Sequence, residues 1–214
     1  MELADAIRGR RSVRKYTGTS VGKEVLERII EAGQWAPTAC NVQGFHFIVI
    51  DQPDVMARII KGGGAAFLKN TRQAILVLYD NQTDNLEYHD NIQSAAAGIQ
   101  NMLLTAHDLH VGTCWINHLP RIKYLRTLLS IPSWYDPIAL VALGYFDQQP
   151  REVPRKRTIG EIVSYNTYAG TLTRAPKNPV LLTLRRLARK AYLYVSVFPP
   201  LQKIARKFEK KFDN

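Results

Sequence analysis

Cysteine is almost absent from this 214-residue chain, which holds only Cys40 and Cys114. Two cysteines cannot build a disulfide framework, and neither belongs to a Cys-x-x-Cys pair of the kind that holds zinc or exchanges disulfides. Long apolar runs are missing as well. The longest, residues 74–79 and 138–143, fall far short of the roughly 20 residues a bilayer-crossing helix needs. The opening Met1-Glu2-Leu3-Ala4-Asp5 has neither the basic nor the apolar region of a signal peptide, so the expectation is a reducing, cytoplasmic setting. No Gly-x-Gly-x-x-Gly follows a strand, and Gly62-Gly63-Gly64 lacks the Gly-Lys-Ser/Thr of a phosphate-binding P-loop, which excludes a dedicated dinucleotide-binding domain. Among the histidines His46, His89, His107, His110 and His118, the pairs His107/His110 and Cys114/His118 each fall short of the three or four ligands of a stable zinc site. No metal site is expected.

Acidic residues are scarce in one part of the chain only. Residues 1–168 carry 18 Lys and Arg against 16 Asp and Glu, whereas residues 169–214 carry 11 against 2. The net charge of +11 therefore belongs to the tail, and the main domain is nearly balanced. With 46% hydrophobic and 22% charged residues the chain has ordinary globular composition, and its length suits one domain plus an appendage. We place the boundary between residues 1–168 and 169–214, where the composition shifts near Tyr168-Ala169-Gly170.

The main domain alternates helical and strand patterns. Helices are expected through Leu3, Ala6 and Ile7, and through Val25, Leu26, Ile29 and Ile30, the second capped by Thr19 or Ser20 and ended by Pro37. Residues 46–51, 74–79 and 138–144 read as buried strands, and residues 55–60 and 124–129 as short helices. A long Ala-rich helix turns Ile92, Ala95, Ala96, Ile99, Leu103 and Ala106 inward, and its small residues admit close approach of another helix. This order implies an α+β sandwich with a central sheet and helices on its faces. In the tail, Val180, Leu184, Leu187, Ala188, Ala191 and Val195 mark an apolar face against Arg185, Arg186, Arg189 and Lys190. A second basic amphipathic helix is expected after Pro199-Pro200, over residues 201–212.

Four segments carry candidate chemistry. Arg10-Arg11-Ser12-Val13-Arg14 gathers three guanidinium groups, whose planar forks suit phosphate oxygens; the alternative is a solvated basic patch. Residues 36–45, Ala-Pro-Thr-Ala-Cys-Asn-Val-Gln-Gly-Phe, lead into a buried strand, and the amides of Asn41 and Gln43 can pair with the edge of a flat heteroaromatic ring; the alternative is an ordinary turn. Gly112-Thr-Cys-Trp-Ile-Asn117 offers backbone amides at a strand end, with Trp115 more often a core residue. Arg155-Lys156-Arg157 is by itself a surface run.

Together and in this order, the four segments resemble the nitroreductase family of flavoproteins, with its Arg-Arg-Ser-x-Arg opening and its Ala-Pro-Ser-x-x-Asn-x-Gln-Pro-Trp loop. The resemblance runs from about Asp5 to Arg157 and includes the segments 100–107, 111–116 and 138–145. Cys40 stands where serine is common, Gly44 where proline is, and Phe45 where tryptophan is. The resemblance implies a mostly antiparallel central sheet flanked by helices in a homodimer, with FMN as cofactor. Arg10, Arg11, Ser12 and Arg14 would hold the phosphate and ribityl end, with Arg155 and Arg157 closing on the same phosphate. Pro37, Thr38, Ala39, Cys40 and Asn41 would reach the isoalloxazine from the partner subunit, with Gln43 beside them. Backbone groups of Trp115 and Ile116 would face the flavin near its reactive edge. Cys40 is expected to be a buried, inert thiol. The implied activity is electron transfer from NADH or NADPH through flavin N5 to a small electrophilic acceptor such as a nitroaromatic, quinone or enone. No catalytic side chain is named, because the flavin carries the redox step. Relatives that cleave reduced flavin, dehalogenate tyrosines or oxidise peptide azolines share the fold and remain alternatives.

The tail leaves its own alternatives. Residues 158–179 are expected to form an arm over the other subunit. Residues 180–214, with Tyr192, Tyr194, Phe198, Phe208 and Phe212, fit contact with an anionic membrane surface or a protein partner, and would make the protein peripheral to the membrane. Nucleic acid is disfavoured for want of a reading motif.

Overall fold

The computed structural model describes residues 1–148, 150–169 and 178–195. The second tail helix expected over 201–212 lies outside the described residues, as do residues 170–177 beside the expected boundary and the side chains of Tyr192 and Tyr194.

Apolar β-branched and leucine residues concentrate in two central strands, β2 (Gln73–Asp80) and β4 (Tyr135–Gly144), and both faces of each are covered. The outer strands are β1 (Phe45–Ile50) and β3 (Gly112–Ile116), giving a four-stranded sheet in the order β1-β2-β4-β3. Every pairing in it is antiparallel, as the family resemblance implies. Alternation divides β2 between two cores: Ala74, Leu76 and Leu78 face one, Ile75 and Val77 the other. The register slips between Val77 and Leu78, which pair with Ala139 and Pro137 and leave Ile138 as the extra residue. Pro137 has no amide to give the ladder, and a bulge is where a sheet interior tolerates that loss.

Helices α2 (Lys23–Gln34) and α4 (Asp90–Asp108) cover one face, through Leu26, Ile29, Ile99, Met102, Leu103 and Ala106. Helices α3 (Pro53–Lys61) and α5 (Ile122–Leu129) cover the other, through Met56, Ile59 and Leu125. Helix α1 (Leu3–Gly9) packs beside α4, and α6 (Pro179–Val195) follows in the tail.

Two details differ from the sequence reading. Helix α2 begins at Lys23 behind Gly22 with no side-chain cap, so neither Thr19 nor Ser20 caps it. Ile92 is 46% exposed, because it lies in the first turn of α4 before the helix reaches its packing partners.

Candidate functional site

The arginine-rich segment is an extended strap laid along the outer edge of the sheet. Helix α1 stops because Arg10 turns extended, at φ −58° and ψ 132°. Ser12 then bridges to Thr113 on β3, and the Val13 amide donates to the Thr113 carbonyl at 2.9 Å. Val13 is buried, and alternation along an extended chain turns Ser12 and Arg14 the other way. The Tyr16 hydroxyl donates to the Val13 carbonyl at 2.7 Å, and the Thr17 amide to the Tyr145 carbonyl at 2.9 Å. The close approach needs Gly112: a Cβ there would meet Val13 Cγ2 at 2.8 Å and Phe146 Cδ1 at 2.7 Å.

The chain leaving β4 returns over this strap and closes a cleft of about 940 Å³. Arg10, Arg11, Arg14, Lys15, Arg151 and Arg155 line it, with Asp147 as the lining carboxylate. Arg11 donates to the carbonyls of Arg8 and of Arg10 (2.9 Å) and pairs with exposed Glu152 at 3.2 Å, so its guanidinium is held in place. Burial pushes the Arg10 pKa down, and the charges of Arg11 and Arg155 push it further. Cations gathered against their own repulsion, one of them partly desolvated, make a cradle that a multiply charged anion stabilises. A phosphate monoester fits this donor set in charge and in hydrogen-bonding geometry.

The sequence-predicted residues divide among three places. Arg10, Arg11, Ser12, Arg14 and Arg155 converge on the cleft, while Arg157 is exposed and does not line it. Trp115 and Ile116 lie on edge strand β3, a few residues beyond the Ser12 bridge. Because the Thr113 carbonyl points to the strap, alternation points the Trp115 amide and carbonyl along the same open edge. Ile116 is buried and pairs with Leu140, and Trp115 is half-buried with its indole N–H donated to Asn117 Oδ1 at 2.8 Å.

The third place is the loop Pro37, Thr38, Ala39, Cys40, Asn41 and Gln43, at the far end of the sheet. It runs into the start of β1, where the Asp80 amide donates to the Gly44 carbonyl at 2.9 Å. The strap lies where β3 starts and β4 ends, so the two are separated by the length of β2, about 23 Å at 3.3 Å per residue. Three non-glycine residues of the loop have left-handed backbone: Cys40 (φ 49°), Asn41 (φ 55°) and Gln43 (φ 52°). Such strain persists only where surrounding contacts impose it, and it concentrates at ligand sites. Here the Ala39 amide donates to Ser94 Oγ of α4 at 3.0 Å, the Gln43 amide to Thr38 Oγ1 at 3.1 Å, and the Gln43 side-chain amide to Asn41 Oδ1 at 2.9 Å. Cys40 is exposed, which corrects the expectation of a buried thiol: the 3₁₀ turn at Ala39–Asn41 swings it out of the core. Cys114 is the buried thiol, and its burial pushes its pKa up.

Sequence reasoning missed His107. It sits in the last turn of α4 against the end of α1, where a Cβ on Gly9 would lie 3.0 Å from its Nε2. Burial lowers its pKa first, with Arg10, His110 and Arg11 adding to the effect. The folded protein therefore resists protonating it. As pH falls below the ordinary histidine value of 6.5, the unfolded chain takes the proton first and the fold loses stability. Acidification from about pH 7.5 to about 5.5 is expected to lower the melting temperature, and His107→Gln to blunt that drop. Melting curves at both pH values check this; equal drops in parent and variant would count against it.

A four-stranded antiparallel sheet covered by helices, with a cationic cleft at one end and a strained amide-bearing loop at the other, defines an α+β protein built to hold an anionic ligand. The model of the Nitroreductase family matches residues 7–87 and 61–145. A protein of Methanothermobacter thermautotrophicus, provisionally named NADH dehydrogenase/NAD(P)H nitroreductase, is 31% identical over 154 residues, covering 70% of this chain and 80% of that protein. The solved structure of an FMN-dependent nitroreductase from Clostridium difficile R20291 superposes with TM-score 0.67 at 28% identity, covering 77% of this chain and 99% of that one. A provisionally named nitroreductase from Desulfovibrio desulfuricans, solved in complex with FMN, gives TM-score 0.64 at 31% identity, with 78% and 98% covered. The chain belongs to the nitroreductase family.

Proposed function

We propose that this chain is an FMN-dependent oxidoreductase that draws electrons from NADH or NADPH and delivers them to a small electrophilic acceptor of the nitroaromatic, quinone or enone type. The observation that carries this reading is the cleft lined by Arg10, Arg11, Arg14, Lys15, Arg151 and Arg155, where a partly desolvated guanidinium lies among like charges. In it Arg10, Arg11, Ser12 and Arg14 hold the phosphate from the strap side and Arg155 from the returning segment. The Trp115 backbone offers the neighbouring edge to the ring. When bound, FMN supplies the two-electron chemistry; the chain supplies position, electrostatics and exclusion of water.

The separation of strap and loop supports a homodimer. A flavin whose phosphate sits in the cleft leaves the loop of the same chain at the other end of β2, whereas a two-fold arrangement sets the loop of one subunit against the strap of the other and makes two equal sites. Pro37, Thr38, Ala39, Cys40, Asn41 and Gln43 then meet the isoalloxazine from the partner. The same reading places the enzyme in the reducing interior of the cell, where Cys40 and Cys114 stay free thiols.

The visible absorption spectrum tests the proposal. Protein supplied with FMN is expected to retain a flavin spectrum through gel filtration and to bleach anaerobically with NADH or NADPH, and the faster donor identifies the preferred one. Failure to retain flavin after FMN is supplied overturns the reading.

A further inference from the structure

We infer that α6 is an interfacial helix that seats this chain on the surface of an anionic lipid bilayer, whatever the cleft binds. The helix lies beyond residue 145, where the family match ends, and so is an addition to the shared fold. Its start is well made: Asn178 Oδ1 accepts from the amides of Val180 (2.9 Å) and Leu181 (3.3 Å), and Pro179 takes the first helical position, where no amide is needed.

At about 100° per residue, Val180, Leu181, Leu184, Leu187, Ala188 and Ala191 fall on one side of the helix. That stripe is not packed on the domain. Val180 is 66% exposed, Leu181 47%, Leu184 57% and Leu187 58%. Arg185 and Lys190 stand on the two flanks of the stripe, roughly 100–120° from its centre, and Arg186 lies behind it. No aspartate or glutamate occurs between Glu161 and Glu209, so the helix meets its partner with positive charge alone.

This charge pattern selects the occupant. A polyphosphate backbone would pair with the arginines and leave four large aliphatic side chains in water. A planar anionic bilayer takes both: the stripe sinks to the acyl boundary, while Arg185 and Lys190 extend along their aliphatic stems to headgroup phosphates on either side. Among the described residues no helix is long and apolar enough to cross a membrane, so α6 lies in the plane of the surface.

Co-sedimentation of the full-length chain with vesicles tests this. Vesicles of phosphatidylcholine with about a third phosphatidylglycerol are expected to retain the protein at least tenfold better than phosphatidylcholine alone. The full-length variants Leu184→Glu with Leu187→Glu, and Arg185→Glu with Arg186→Glu, are each expected to lose about tenfold of that binding. Unchanged circular dichroism and unchanged FMN titration show that the variants are folded. Parent protein that stays in the supernatant overturns the proposal. So does Leu184→Glu with Leu187→Glu sedimenting like the parent, and so does binding that duplex DNA competes away equally in parent and variant, because either result makes the site a polyanion patch.

Discussion

Replacing Arg10 with alanine is expected to weaken FMN binding by about 10- to 100-fold while leaving riboflavin binding within about twofold of the parent. Riboflavin lacks the phosphate, so the pair of titrations, read by flavin fluorescence on apoprotein, isolates the group that Arg10 holds. The size follows from a charge-assisted hydrogen bond in a partly desolvated cleft, worth about 1.5–3 kcal/mol. The stability of the apoprotein should move the other way. Arg10 is held among Arg11 and Arg155 with its pKa pushed down, chiefly by burial, so removing it relieves repulsion and the apo melting temperature should hold or rise. FMN should also lose affinity with added salt more steeply than riboflavin does. If both flavins weaken together in the alanine variant, Arg10 acts through the fold and the phosphate assignment is wrong.

The arginine cluster and the central strands were readable in advance for the same reason: both are written in local pattern. Residues 74–79 and 138–144 are apolar runs of strand length, and β2 and β4 form on them. Three arginines within Arg10–Arg14 stand out in the sequence as a candidate anion cluster, and the structure brings them together with Arg155 in one cleft. What sequence did not carry was placement across long separations. His107 lies 97 positions from Arg10 in the chain yet shares its electrostatics. The left-handed backbone of Cys40, Asn41 and Gln43 has no glycine to signal it; it is imposed by Ser94 and Thr38 through their hydroxyl groups. The fact that loop and strap stand at opposite ends of β2 depends on the order β1-β2-β4-β3, which no single segment encodes. Ile92 shows the same limit on a smaller scale: helical period finds the face but not where the neighbouring elements end.

Gly98→Ala is expected to destabilise the fold by about 1–3 kcal/mol, measured by urea unfolding. Alanine is ordinarily the better helix residue by roughly 1 kcal/mol, so a loss at this position reports packing that outweighs propensity. A Cβ on Gly98 would lie 2.6 Å from Cε1 and Cζ of Phe45 and 2.9 Å from the Gly33 carbonyl oxygen. The carbonyl belongs to the backbone of α2. The Phe45 ring is stacked on Phe47 at 5.5 Å and set edge-on to Tyr79 at 4.9 Å, so neither neighbour yields cheaply. Gly160→Ala, with nothing within 4 Å of its Cβ, is the control and should stay within about 0.5 kcal/mol of the parent. The displaced elements, the end of α2 and the start of β1, are the two anchors of the Pro37–Gln43 loop. If that loop grips the flavin ring, Gly98→Ala should weaken FMN and riboflavin by similar factors, the opposite pattern to Arg10→Ala. A Gly98→Ala protein that is more stable than the parent would mean that α4 can move away from α2 and β1 at no cost. One that loses stability but binds both flavins as before would separate the loop from the ring.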